Sequence, residues 1–127
     1  FPYTTLFRSD GAALEKPADR DAAEVMLSKL SGTVHDVCSG VALVCHESGY
    51  CESAASTTSV QFRTIDRTEM AWYLSSGEFC DKAGAYGIQG RAMVFVTGIH
   101  GCYYNVVGLP VQTTLNLLRT YLSRRDT

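Results

Sequence analysis

The stretch SGEFCDKAGAYGIQGRAMVFVTGI, Ser76 to Ile99, changes character twice within a short span. It opens at Gly77, where a helical pattern stops. From Asp81 to Gly90 three glycines surround one lysine and one amide, Lys82 and Gln89. Ala92 to Ile99 then form a continuous apolar run, short enough to be a central strand. A helix, a glycine-rich loop and a buried strand in that order place the chain in the α/β class, with a sheet flanked by helices.

The flanking sequence agrees with that class. Asp66-Arg67-Thr68-Glu69 has the N-cap to N3 spacing of a capping box and opens a helix whose inward residues are Met70, Tyr73 and Leu74. Before it, TVHDVCSGVALVCHE and STTSVQFRTI are separated by a turn at Gly49. Both are rich in β-branched residues, and Val60, Phe62 and Thr64 alternate with polar neighbours, which predicts an antiparallel pair. Earlier still, Ala23, Met26, Leu27 and Leu30 make a helical face, capped by Asp19 and closed by Gly32. Downstream, Tyr103 to Val107 read as another strand after the His100-Gly101 turn. Pro110 then starts a last helix with Val111, Leu115, Leu118 and Leu122 as its buried stripe, ending in Arg124 and Arg125. There are no internal repeats.

Composition narrows the class of partner. The 127 residues are 46% hydrophobic and 19% charged, enough apolar material for the core of one soluble domain. A formal net charge of -2 supplies no basic surplus for duplex nucleic acid or anionic lipid, so neither nucleic acid nor membrane is an expected partner. No apolar run approaches the ~20 residues of a membrane helix, and no signal peptide is evident, so a cytoplasmic protein is expected. The five cysteines, Cys38, Cys45, Cys51, Cys80 and Cys102, contain no C-x-x-C pair and suit reduced thiols. Cys45, His46 and Cys51 lack the spacing of a zinc site. A cysteine nucleophile paired with His35, His46 or His100 can be drawn but is not specified; buried thiols and turn histidines are the simpler expectation.

The loop has a chemistry of its own. Glycines let the backbone approach a ligand closely, Lys82 supplies a mobile charge suited to phosphate, and Gln89 offers donor and acceptor to the edge of a nucleobase. Glycine clusters are more often plain loops, so the loop alone does not decide.

Three segments together do more. LEKPADRDAAEVMLSKLSGTVHDVCSGVAL, SGEFCDKAGAYGIQG and GCYYNVVGLP occur in the order of, and resemble, the Maf family patterns L-G-K-P followed by a helix and L-S-G-x-x-H-x-V-x-T-G-V, then G-E-P-x-D-K-A-G-A-Y-G-I-Q-G, then G-x-Y-x-N-V-V-G-L-P. The resemblance runs from Asp10 to about Leu122. It implies the mixed α/β fold shared with inosine triphosphatases. The implied activity is hydrolysis of a nucleoside triphosphate to the monophosphate and pyrophosphate, assisted by a divalent cation, Mg or Mn. By position the resemblance implies Lys16 and Lys82 as the catalytic lysines, expected to hold the triphosphate. Gln89, in the A-Y-G-I-Q-G form, goes with the branch preferring dTTP and UTP, and Glu78 and Asp81 match motif acids expected at the substrate. Asn105 reads as a turn former sooner than as part of the pocket, and Tyr86 as packing. A homodimer is compatible with the resemblance, and so is a non-catalytic nucleotide-binding or regulatory module linked to septum formation.

Several positions depart from the pattern: Glu15 for glycine, Ser39 for threonine, Phe79-Cys80 where proline and an apolar residue are common, and Arg91 after Gly90. The family's Ser-x-Ser-Pro-Arg-Arg loop, metal-binding glutamate and Asp-Thr pair are not found, and the aspartate of that pair is taken to be the general base. In the territory of the pair stands FPYTTLFRS, which resembles a translated sequencing adapter. Phe1 to Ser9 are therefore expected to be an artefact, residues 10–127 the C-terminal portion of one domain, and the chain nearly inert.

Overall fold

A computed structural model describes residues 3–125. The chain runs through β1 (Tyr3–Ser9), β2 (Ala12–Leu14), α1 (Arg20–Leu30), β3 (Val34–Cys45), β4 (Tyr50–Phe62), α2 (Arg67–Ser75), a short 3-10 turn (Ala83–Ala85), a 3-10 helix (Arg91–Phe95), β5 (Val96–His100), α3 (Tyr103–Val107) and α4 (Val111–Arg125). The sheet order is β2-β1-β3-β4-β5, and every neighbouring pair is antiparallel. The expected α/β class is observed.

The predicted pair is the long hairpin of β3 and β4, in register from Val34↔Gln61 to Cys45↔Tyr50. One face of it, through His35, Val37, Val60 and Phe62, is covered by α1 and α2 and forms the core with Leu27, Leu30, Tyr73 and Phe95. Each such side chain taken from water contributes roughly 1.5–3 kcal/mol. The caps stand where the spacing put them. Asp19 Oδ1 accepts from the Ala22 N–H at 2.8 Å. Asp66 and Glu69 close the reciprocal capping box at 2.8 and 3.2 Å. Glu69 also takes a two-pronged contact from Arg63, whose Nε donates to the Val94 carbonyl at 3.0 Å. The Arg63 hydrogen bond first, and the Asp66 backbone N–H next, hold the Glu69 carboxyl down to about 2.

Three expectations need correction, and the segment expected to be an artefact, Phe1 to Ser9, forms β1 from its third residue on, between β2 and β3. Leu6 and Arg8 point outward while Phe7 and Ser9 point inward, the period of a half-buried strand. Asp10 and Gly11, with φ of 51° and 77°, turn β1 into β2 as the two-residue Asp-Gly loop that a tight hairpin favours. The apolar run Ala92 to Ile99 is not one central strand. Ala92 and Phe95 are buried three residues apart while Met93 and Val94 are exposed, so its first half winds as a 3-10 helix and only Val96–His100 pair, at the sheet edge. Tyr103–Val107 form a helix rather than a strand, because Asn105 Nδ2 donates to carbonyls of Val37 and Ser56 on the sheet beneath, at 2.9 and 3.2 Å. Finally, no residue of α4 is buried. It meets the sheet through Tyr121, whose ring lies tilted against that of Tyr50 with centroids 4.9 Å apart, and Arg124, which pairs with Glu52 at 3.8 Å. Val111, Leu115 and Leu122 stay exposed.

Candidate functional site

Lys82 and Gln89 stand on one loop whose shape three left-handed residues create. Asp81, Gly84 and Ala85 have φ of 59°, 70° and 72°. Two of these are not glycine, a cost of about 1 kcal/mol each, so the surroundings must hold them. They do. The buried Tyr73 hydroxyl donates to the Ala85 carbonyl at 2.8 Å, and Gly84 N–H donates to the Glu15 carbonyl at 3.2 Å. Gly84 is needed for a second reason: a Cβ there would lie 2.9 Å from Cδ2 of Phe7.

Phe7 is thus a support of the loop. Its ring meets Tyr86 edge-on at 5.3 Å and stacks near His35 at 6.2 Å. His35 Nε2 is hydrogen-bonded to the Tyr86 hydroxyl, and both side chains are buried. Burial lowers the His35 pKa to about 4, against an upward pull from Asp36, so the ring is neutral near pH 7. Burial also pushes the Tyr86 phenol far above its ordinary value. The phenol therefore keeps its proton, and one hydrogen bond joins it to a neutral imidazole. His35 is a core residue on β3 and not the turn histidine expected.

Above this aromatic support opens a cavity of about 340 Å³. Phe7 forms its floor, Lys82, Ala83 and residues 86–90 one wall, and Val106, Val107 and Gly108 the other. The volume lies at the lower end of the range for small-molecule pockets. The floor and far wall are apolar, while the exposed Lys82 and Gln89 bring an ammonium and a carboxamide to the same opening.

The remaining candidates are distributed unevenly. Lys16 is exposed just past β2 and does not line the cavity, although the Glu15–Gly84 bond brings its backbone alongside the loop. The Glu78 carboxylate accepts from the Arg91 N–H at 2.8 Å, and Asp81 is exposed at the loop's first left-handed position. Arg91 faces solvent over the Trp72 ring, 5.8 Å from its centre. Asn105 neither turns the chain nor lines the cavity; it is buried and pins α3 to the sheet. Phe7 and the Val106–Gly108 wall escaped the sequence reading. The need for glycine at position 84 is the one local sign of Phe7. Among the described residues no group of three or more His, Cys, Asp or Glu is gathered to hold a metal ion. The acids present do not form a cage for the divalent cation the resemblance implies, and no chemical step is routed through one.

An ammonium and a carboxamide over an apolar floor, on a glycine-rich loop, make a site for a small molecule bearing both an anionic group and a hydrogen-bonding ring. A family model described as Maf-like protein matches residues 4–121, and the chain belongs to the Maf family. That match begins inside β1, in the segment the motifs had left outside the family. Over 117 residues the chain is 48% identical to a dTTP/UTP pyrophosphatase of Symbiobacterium thermophilum, covering 92% of this chain and 59% of the relative. It is 46% identical over 114 residues to one of Syntrophomonas wolfei, covering 90% and 60%, and 44% over 115 residues to one of Pyrococcus abyssi, covering 91% and 60%. The chain thus spans about 60% of the length of these curated relatives. Among the described residues no helix is long and apolar enough to cross a membrane.

Proposed function

We propose that this chain is the nucleotide-gripping part of a nucleoside triphosphate pyrophosphatase acting on dTTP and UTP. Lys82, joined by Lys16 from the neighbouring backbone, takes the phosphates, and Gln89 takes the pyrimidine edge. The observation that carries the reading is that Lys82 and Gln89 open onto one cavity of about 340 Å³ that the Phe7 ring also lines. The names of the relatives, all dTTP/UTP pyrophosphatases, support the same choice of base. Lysine charge there neutralises phosphate oxygens as a pyrophosphate leaves. Cleavage of the anhydride also needs a base for the attacking water, and no Asp or Glu is among the described residues lining the cavity. The 127-residue chain is accordingly proposed to bind nucleotide with little turnover, which is also what a non-catalytic nucleotide-binding module would do.

The test is calorimetric titration with dTTP, dCTP and dATP, alongside assay of released pyrophosphate with Mg or Mn. Selective binding of dTTP with negligible pyrophosphate is the expected result. Equal binding of all three removes the assignment of the base to Gln89, and no binding of any of them removes the nucleotide reading. Brisk pyrophosphate release removes the claim of low turnover. In Gln89→Ala the preference for dTTP is expected to fall roughly tenfold, with phosphate binding retained.

A further inference from the structure

The family resemblance puts Glu78 at the substrate, yet every acceptor of this residue is turned to the loop. Its Oε2 takes the Arg91 N–H at 2.8 Å, across thirteen positions of sequence. Its Oε1 faces Arg91 Nε at 4.0 Å. Its backbone carbonyl takes the Lys82 ammonium at 3.0 Å. Two glycines are shaped to this arrangement. A Cβ at Gly90 would lie 3.0 Å from Glu78 Oε2, and one at Gly87 would lie 3.1 Å from Cε of Lys82. Gly90 N–H in turn donates to the Gly87 carbonyl at 3.1 Å. The loop is therefore a ring fastened where it begins and ends, with Lys82 and Gln89 held between.

We infer that Glu78 is a positioning residue: its carboxylate is the clasp that fixes Gln89 relative to Lys82, and it acts on the ligand only through them. The inference rests on the nucleotide reading of the cavity. A charge-assisted bond to a backbone N–H suits the task, because it is stronger than a neutral one and fixes direction. Gln89 lies two residues from the fastened N–H, so loosening the clasp frees its carboxamide first. Lys82 is bound to the Glu78 backbone, which truncation of the side chain leaves in place.

Glu78→Ala and Glu78→Gln in the 127-residue chain test this with two measurements. Trp72 is the chain's one tryptophan, and Arg91 lies over it, so acrylamide quenching reports whether the clasp holds. Calorimetry with dTTP and with inorganic triphosphate, which lacks a base, separates the roles of Gln89 and Lys82. For Glu78→Ala the expected results are quenching raised about twofold and dTTP binding weakened roughly tenfold, the scale of one lost charge-assisted hydrogen bond, with triphosphate within about twofold of the parent. Glu78→Gln, whose amide oxygen still accepts from Arg91 N–H but without the charge, is expected to fall between the parent and Glu78→Ala in both. The inference is overturned if Glu78→Ala leaves quenching and the dTTP-to-triphosphate ratio unchanged. It is equally overturned if Glu78→Gln falls as far as Glu78→Ala, since the charge itself is then what matters. A parent chain that binds no nucleotide defeats the reading of the cavity, and the quenching result still decides whether Glu78 fastens the loop.

Discussion

The two ends of the β3–β4 hairpin share strands and face but not construction. At one end His35, Val37, Val60 and Phe62 lie beneath α1, α2 and the glycine-rich loop, and the buried Tyr73 and Tyr86 hydroxyls are bonded to the Ala85 carbonyl and to His35. At the other, α4 rests on Tyr50, Glu52 and Ala54 through a tyrosine pair and one ion pair, with no residue of the helix buried. The difference teaches where rigidity was needed. A loop carrying left-handed Asp81 and Ala85 persists only against a packed support, whereas an amphipathic helix holds its own backbone wherever it lies.

The sharpest way to break this contrast is at Phe7. It is 7% exposed and touches Gly84, Tyr86 and His35. Phe7→Ala is expected to cost about 3–4 kcal/mol in urea unfolding, the range for an aromatic ring lost from a core. A cost under about 1 kcal/mol removes Phe7 as the support of the loop, and with it β1 as an integral strand.

Acid tests the same end without mutation. His35 has an ordinary pKa of 6.5 unfolded and about 4 folded, so the unfolded chain binds the extra proton between those values. Stability is thus whole above about pH 6.5 and falls as pH drops through 4, by roughly 3 kcal/mol at 1.36 kcal/mol per pH unit. The Glu69 carboxyl, held down to about 2 by Arg63, contributes stability present above its unfolded value of 4.5 and lost as pH falls through 2. Denaturant melts from pH 7.5 to 2 therefore show two successive losses. In His35→Phe, which leaves the Tyr86 hydroxyl without its partner, the first of them disappears.

At the hairpin end the sensitive group is chemical rather than structural. Hydrogen bonds from Ser48, side chain first and then backbone, with another from the Tyr121 hydroxyl, bring the Cys45 thiol from 9.0 down to about 7. Ser48→Ala is expected to slow iodoacetamide labelling of Cys45 at pH 7 by roughly threefold, through a smaller thiolate fraction, without moving the melting temperature. A matching loss of stability means that this end is packed more tightly than the contrast allows.

What the sequence disclosed follows the same division between local and distant causes. Asp19, the Asp66–Glu69 box and the Gly49 hairpin were legible because the groups that satisfy each backbone lie within a few residues. Ala92–Phe95 and Tyr103–Val107 were misread as strands, because the burial of Phe95 and the bonds of Asn105 to β3 and β4 depend on distant chain. In the site, Lys82 and Gln89 were legible as one motif, whereas Phe7 reaches the loop only through the sheet.

The smallest expected effect decides whether α4 was placed by its pattern or by its contacts. The spacing of Val111, Leu115, Leu118 and Leu122 predicts a buried stripe, where a polar substitution costs about 2–5 kcal/mol. In the structure Leu122 is 51% exposed, and the helix faces the sheet with Leu117, Tyr121 and Arg124 instead. Leu122→Gln is therefore expected to change unfolding free energy by no more than about 0.5 kcal/mol. Tyr121→Ala, which removes the ring packed against Tyr50, is expected to cost more than Leu122→Gln, reversing the order a hydrophobic stripe demands. If the two variants come out in the opposite order, the helix is rotated toward its leucines, and the hairpin's two ends are built alike.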